Sequence, residues 1–485
     1  MSRDFIVKLI KGSASTSIGT FASVLFHFFS IMVMTRYAEK EVFGIYVLIL
    51  VIVHCLKIIG SLGLDLTMVK LISEDAGNQQ AKKPLFEILA SRVILLAGLS
   101  LIVYATGHLV LPFFDGRIAD YLLYIPIMFC LASLRELFFF LLQGLQYFRK
   151  YAVVQTASAV FKFILVLLFA NFSELNLANL IYIELMMLLG SFLHQLLVIP
   201  LRAHIDFRFD RSAFNNIIRF SLPLYANNIL TFVYGRINIF LIGIFLNPVS
   251  IALYDIAAKI PEGVDRMFKS FIVVYFPNFS KLLAEGNQRE AQRMMNQSLI
   301  LFSVIIVFGV LASFLFREEI FRLIFSDQYL DASFAFSLMM LNFYIQAIYN
   351  IMGYSLVSAG HPAVPAKINL VSSTVNITGA LLMIPAFGFL GAVYAHLAMD
   401  IVSQILHFQY LKKAGIQADY RRYLQPVMIL AVLVALYMLI GIETYFMRSI
   451  FLAGYVALSW LLMKEFRNLI HFSIKLLRKA AFQTT

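Results

Sequence analysis

The sequence predicts an all-α polytopic membrane protein with about 14 transmembrane helices, arranged as two six-helix lobes plus two C-terminal helices. Three observations carry that expectation. Hydrophobic residues make up 61% of the 485 and charged residues only 14%, a balance that no soluble globular class shows. Apolar stretches of 17 or more residues recur from end to end, which excludes the ten-residue alternation of a membrane β-barrel. The segments between them, the C-terminal tail apart, are no longer than about twenty residues, so any chemistry must take place in the membrane.

Taken in order, the spans are read at 14–34, 42–62, 86–106, 119–142, 151–171, 178–200, 218–245, 249–270, 297–316, 332–357, 364–384, 389–410, 424–441 and 447–463. The eighth either ends near residue 270 or continues as an interfacial helix to about Pro277. The first is too long for the h-region of a cleavable signal peptide and lacks a small-residue cleavage site. Fourteen crossings put both termini on one side, and that side carries 25 of the 39 Lys and Arg residues. The opposite loops hold six (Arg36, Lys40, Arg117, Arg317, Arg322 and Arg448) and eight lie within spans. The positive-inside rule then places both termini in the cytoplasm. Topology alone explains the net charge of +12, so no nucleic acid is implied. Cys55 and Cys130 fall inside spans and read as small core residues rather than as a disulfide or a metal site.

A weak internal repeat recurs at roughly 210 residues. Gly44-Ile45-Tyr46 matches Ala252-Leu253-Tyr254, Lys70-Leu71 matches Lys281-Leu282, and Gly144 matches Gly360. The matches keep order and topology, which gives lobes over 1–200 and 218–410 with a cytoplasmic connector at 201–217. Parallel lobes of this kind bind substrate at their interface and alternate access by rocking. Two further spans occupy 424–463. The basic tail over 464–485 reads as an interfacial amphipathic helix on anionic lipid, with a partner-binding site as the alternative.

The charges inside the spans point to transport. Asp255, Lys259, Glu262, Arg266 and Lys269 follow one another at spacings of 4, 3, 4 and 3 and share one helical face, with Asp265 beside it. A charge at membrane depth costs at least ~2.5–3.5 kcal/mol, so this stripe faces a partner helix or water. Its acids stand N-terminal to its bases at i,i+4, and mutual neutralisation is an alternative to substrate binding. In the first lobe Lys57, Arg92 and Lys162 have no acid one turn away in their own helices. Either a substrate anion answers them, or Glu136 and Glu184 do from neighbouring helices, or those near span ends snorkel to the surface. Lys57, Arg92, Arg236, Lys259, Arg266 and Lys269 are the candidate anion-facing cations, Arg92 as an entry site for a phosphate head group. Asn227, Asn228, Thr231 and Asn238 follow Pro223 in the seventh span and suit a bending, cavity-lining helix able to hydrogen-bond sugar hydroxyls. Asp255, Glu262 and Asp400 are candidates for coupling to H+ or Na+, with a buried structural hydrogen bond as the alternative for Asp400. His27, His54, His194, His396 and His407 are scattered without ligand spacing, so no metal site is expected.

The chain resembles a known family at Leu9-Ile10-Lys11-Gly12-Ser13-Ala14, Arg36-Tyr37, Glu41-Val42-Phe43-Gly44-Ile45-Tyr46 and Leu62-Gly63-Leu64. These look like the N-terminal signature of polysaccharide repeat-unit flippases, the O-antigen (Wzx-type) transporters of the multidrug/oligosaccharidyl-lipid/polysaccharide exporter superfamily. The likeness extends over the whole chain in length, span layout and lobes, though its motifs mark packing rather than substrate. It implies movement of undecaprenyl-pyrophosphate-linked oligosaccharides, as in lipopolysaccharide synthesis, to the outer leaflet of the bacterial inner membrane. It also implies a basic cavity for pyrophosphate, ion-gradient coupling, and a polymerase and glycosyltransferases as possible partners. No catalytic motif transfers, because such proteins have none. The alternatives are a drug or metabolite cation antiporter of the same superfamily and, against the short external loops, a membrane-embedded glycan polymerase or acyltransferase.

The orientation is tested by single cysteines labelled in sealed cells with an impermeant thiol reagent. Positions 116 and 327 react from outside, whereas 78, 288 and 417 react only after permeabilisation; external labelling at 78 contradicts the orientation.

Overall fold

The computed structural model describes residues 3–74, 83–199, 211–441, 444–463 and 467, with side chains from residue 19 onward and a few within helices left out. Residues 201–210 of the expected connector and the tail from 464, apart from Arg467, lie outside that set. Among the described residues the regular structure is helical throughout, with 16 α-helices and no strand. The protein is a multi-pass membrane protein.

It divides into two compact units, residues 1–255 and 256–485. The first holds α1 (Arg3–Tyr37), α2 (Lys40–Ile59), α3 (Leu64–Glu74), α4 (Lys83–Val110), α5 (Tyr124–Gly144), α6 (Phe148–Phe172), α7 (Leu177–Val198) and α8 (Arg211–Phe245). The boundary falls inside α9 (Pro248–Ala284). The second unit continues with α10 (Gln288–Leu315), the short α11 (Arg317–Ile324), α12 (Ser333–Ser358), α13 (Ala363–Phe387), α14 (Phe389–Lys413), α15 (Tyr420–Ile440) and α16 (Tyr445–Leu462). Several starts carry side-chain caps for otherwise orphaned amides: Asn176 accepts from Asn179 N at 2.9 Å, and Asn287 from Glu290 N at 3.3 Å. Gly441, at φ 64°, ends α15 in the left-handed conformation that glycine adopts without strain.

Among the described residues twelve helices are long and apolar enough to cross a membrane, against the 14 spans expected. The shortfall lies at 218–245 and 249–270. Both are helical, within α8 of 35 residues and α9 of 37, so length is not the reason. In α9 the charged side chains of Asp255, Lys259, Glu262, Asp265 and Arg266 interrupt the apolar length, whereas in α8 several side chains lie outside the described residues and Gly235–Phe245 is the apolar run among those described. α9 passes Pro261 and Pro277 without a break, so it does not end at 270. The 11-residue α3 falls where a loop was expected. Its Leu64, Met68 and Ile72 bury against Leu137, Leu141 and Leu142 of α5, and Ile88 of α4, Val154 of α6 and Ile217 of α8 complete that core. α3 therefore fastens the end of α2 to the rest of the first unit.

In the first unit α1 packs on α6, α7 on α5 and α6, and α8 on α2, α3 and α4. In the second, α14 packs on α12 and α13, while α15 and α16 pack on α10. Glycines at and just beyond the two ends of α2 make its fit to α8 and α9 possible. A Cβ on Gly44 would lie 1.8 Å from the Pro248 carbonyl oxygen, and one on Gly63 (φ 72°) would lie 2.3 Å from that of Ser221. Around the turn after α4, the Arg117 guanidinium bonds Asp115 at 2.8 Å and Glu41 at 2.6 Å, and the contact with Arg117 holds the Asp115 carboxyl below its usual range.

Because the obstacle at Gly44 is backbone, Gly44→Ala is expected to cost at least the ~1–3 kcal/mol typical of overpacking. Gly98→Ala and Gly454→Ala, with nothing within 4 Å, are neutral or slightly stabilising. Thermal unfolding of the purified protein separates them; equal midpoints for Gly44→Ala and the wild type contradict this packing.

Candidate functional site

The first unit contains a cavity of about 340 Å3 between α2, α4, α5 and α8. The placement follows from helical spacing. On α2, His54, Lys57 and Ile58 share a face, and on α8 Asn228, Thr231, Gly235 and Arg236 recur at 3, 4 and 1 residues. Arg92 comes from α4, Ser133 and Glu136 from α5, and Asp65 from α3. The lining therefore carries three permanent cations against two carboxylates. His54 stacks on Phe232 at 5.5 Å, giving that wall a flat aromatic surface.

The cations differ in how tightly they are held. Arg92 is 1% exposed. It is paired with Asp65 and also donates to Gly60 O at 3.2 Å and Ser133 Oγ at 3.1 Å. Removing one partner of such a pair leaves a buried charge and costs about 3–5 kcal/mol. Arg92 was expected near a cytoplasmic entry; it is instead deep in packing, because α3 folds back and delivers Asp65. Lys57 pairs with Glu136, but with the two side chains 18% and 37% exposed. Arg236, about a third exposed, stands 3.9 Å from Asp255 of α9, a long and weak contact.

Lys57, Arg92 and Lys162 thus each have a carboxylate partner within the protein. Lys57 and Lys162 take the neighbouring-helix acids that the sequence left as the alternative. Lys162 Nζ bonds Glu184 at 2.6 Å, and the Tyr46 hydroxyl donates to the same carboxylate at 2.8 Å. Arg92 takes Asp65, which sequence reasoning had not counted because it lies beyond the second span.

The remaining candidates are distributed as follows. Asn228 and Thr231 line the cavity. Asn238 is buried and donates to the Tyr254 hydroxyl at 3.2 Å, so it joins α8 to α9 rather than lining the cavity. The Asn227 side chain lies outside the described residues. Lys259, Glu262, Arg266 and Lys269 belong to the second unit. Of the i,i+4 pairs expected on α9, Asp265–Lys269 closes at 2.6 Å, with both Arg266 and Lys269 exposed. Asp400 on α14 is fully buried, accepts from the Tyr349 hydroxyl at 3.1 Å and faces His396 Nε2 at 3.6 Å. Among the described residues no three His, Cys, Asp or Glu side chains gather as a metal site would require. Sequence reasoning missed Ser133, Phe140 and Gly235 as lining residues; their small or apolar side chains carry no signal.

This architecture is that of the MurJ and MATE transporters. Residues 33–334 match the family described as polysaccharide biosynthesis protein, and the chain belongs to that family. A protein of Haloferax volcanii named as a probable low-salt glycan biosynthesis flippase, Agl15, is 23% identical over 207 residues. That match spans 42% of this chain and 43% of the relative, less than half the length of either. Among solved structures, the lipid II flippase MurJ in an inward closed conformation has a TM-score of 0.72 at 16% identity, covering 94% of this chain and 99% of its own. An inward-facing MATE family multidrug resistance transporter of the MOP superfamily has a TM-score of 0.62 at 13% identity, covering 81% and 95%.

Proposed function

We propose that this protein is a flippase that moves undecaprenyl-pyrophosphate-linked oligosaccharide repeat units, such as those of O-antigen, from the cytoplasmic to the outer leaflet of a bacterial inner membrane. Membership of the polysaccharide biosynthesis family supports the class, and the glycan biosynthesis flippase and lipid II flippase among its relatives agree with it. The observation that carries the mechanism is the Lys57–Glu136 pair beside Arg236 in the wall of the first-unit cavity. An empty basic cavity in an apolar bundle would be costly, so internal carboxylates neutralise it until the pyrophosphate arrives. The incoming anion takes Lys57 and Arg236 from Glu136 and Asp255, while Arg92 stays locked on Asp65 as scaffold. The prenyl chain remains in lipid throughout. Lys259, Arg266 and Lys269 are assigned to the second lobe's share of the path. Asp255, Glu262 and Asp400 are assigned to coupling with H+ or Na+, tested by comparing export by their Asn or Gln variants with the wild type under an imposed H+ or Na+ gradient. Undiminished gradient-driven export by all three variants contradicts that assignment.

No bond is made or broken in this reading, so it assigns no catalytic residue. A polymerase and glycosyltransferases are the proteins that would meet the cytoplasmic and outer loops. The alternative of a drug or metabolite cation antiporter draws on the MATE likeness in fold. Three cations against two carboxylates in the cavity weigh against it.

The test is flipping of a prenyl-pyrophosphate-linked glycan by the purified protein in proteoliposomes. Lys57→Gln and Arg236→Gln are expected to slow it roughly 10- to 100-fold, about 1.4–2.7 kcal/mol, with partial recovery in Lys57→Arg. Wild-type protein that leaves this lipid in place, yet exchanges a cationic drug against a proton or sodium gradient, establishes the antiporter instead.

A further inference from the structure

Beside the cationic cavity, α5 and α6 enclose a second hollow of about 220 Å3, walled by the rings of Phe139, Phe140 and Tyr151, the amides of Gln143 and Gln155, and the side chains of Arg135 and Glu136. On α5 these positions recur at 1, 3, 1 and 3 residues, and on α6 Tyr151 and Gln155 stand one turn apart, so each helix offers one stripe. The tight turn between Gly144 and Phe148 brings the two stripes face to face. Glu136 and Phe140 line both hollows, which makes the second a continuation of the first.

Its walls are fixed from behind. Arg135 Nε donates to Ser191 Oγ at 2.8 Å, and its guanidinium lies 5.1 Å from the Phe139 ring centre. Phe139 and Tyr151 meet edge to face at 5.2 Å. Gln155 Oε1 accepts from Thr20 Oγ1 at 3.3 Å, and Gln195 Nε2 donates to the Arg135 carbonyl at 3.0 Å. Such a wall is too polar for an acyl chain. Glu136 disfavours a second anion, and Arg135 disfavours a cation. What remains is a neutral group with apolar faces and hydroxylated edges. Aromatic rings accept the C–H faces of a pyranose, and an amide, donor and acceptor at once, matches a hydroxyl, which is both.

We infer that this hollow is the subsite for the first sugar of the lipid-linked glycan, a neutral pyranose held next to the pyrophosphate. The inference rests on the flippase reading and extends it from the charged group to the sugar. It is tested on the full-length protein in lipid nanodiscs with two probes, a prenyl pyrophosphate and the same lipid carrying one neutral hexose. In the wild type the hexose tightens binding by roughly ten-fold or more. Tyr151→Ala and Gln143→Ala each remove most of that gain while weakening the sugar-free lipid far less, and Tyr151→Phe, which keeps the ring, retains it. Gln143 is exposed, so its substitution leaves the packing intact. Equal wild-type affinity for the two lipids, or a parallel loss for both in the variants, overturns the sugar subsite and leaves the flippase reading standing. Wild-type protein that binds neither lipid overturns the flippase reading and this inference with it.

Discussion

A charge placed among apolar helices has to be answered by another charge, and in the first unit that requirement decides which helices touch. Lys57 on α2 meets Glu136 on α5, Arg92 on α4 meets Asp65 on α3, and Lys162 on α6 meets Glu184 on α7. Each contact joins two helices far apart in sequence or divided by a turn. The well-buried Arg92–Asp65 and Lys162–Glu184 pairs would each leave several kcal/mol of unpaired burial if one partner were lost, and the more exposed Lys57–Glu136 pair less. Van der Waals packing holds the bundle together, but apolar faces alone set the rotation of one helix against another less sharply. Ion pairs at membrane depth set it closely, and so they fix the register in which the cavity is formed.

The same requirement separates scaffold from site. Arg92 has a carboxylate, a carbonyl and a hydroxyl around its guanidinium and almost no exposure, so a substrate would have to take apart a finished network. Lys57 and Glu136 are paired but reach the cavity, and Arg236, about a third exposed, stands 3.9 Å from Asp255. In the proposed transport cycle, exchanging Glu136 for a pyrophosphate oxygen keeps Lys57 neutralised throughout. The protein therefore avoids the cost of an exposed cation before loading and of a stranded one after release. On the proposed function, this is a resting state closed by internal anions, with the substrate as a competing ligand.

How much of this was legible beforehand follows from the physics of each feature. Long apolar runs announce helices whatever their partners, and so the polytopic all-α fold was readable. α8 and α9 were also readable as helices, although Asp255, Glu262 and Arg266 deprive α9 of an uninterrupted apolar length. α3 was not readable, since 11 amphipathic residues between spans look like a loop until their core partners are known. The Arg92–Asp65 contact joins residues 27 apart, and nothing in helical periodicity reports a pairing of that kind. Lys57–Glu136 and Lys162–Glu184 could be named only as alternatives, because sequence shows that a charge needs a partner without showing which. The hollow beside α6 escaped notice because glutamines and tyrosines near a span end look like ordinary interfacial residues.

The claim that internal anions hold the place of the substrate is tested most directly at Glu136. In the full-length protein, the affinity for sugar-free prenyl pyrophosphate is compared between the wild type and Glu136→Gln, which keeps shape and removes charge. If Glu136 competes with the pyrophosphate for Lys57, the variant binds more tightly, by about ten-fold or 1.4 kcal/mol. Unchanged or weaker binding in a folded Glu136→Gln protein contradicts the exchange and makes the Lys57–Glu136 pair purely structural.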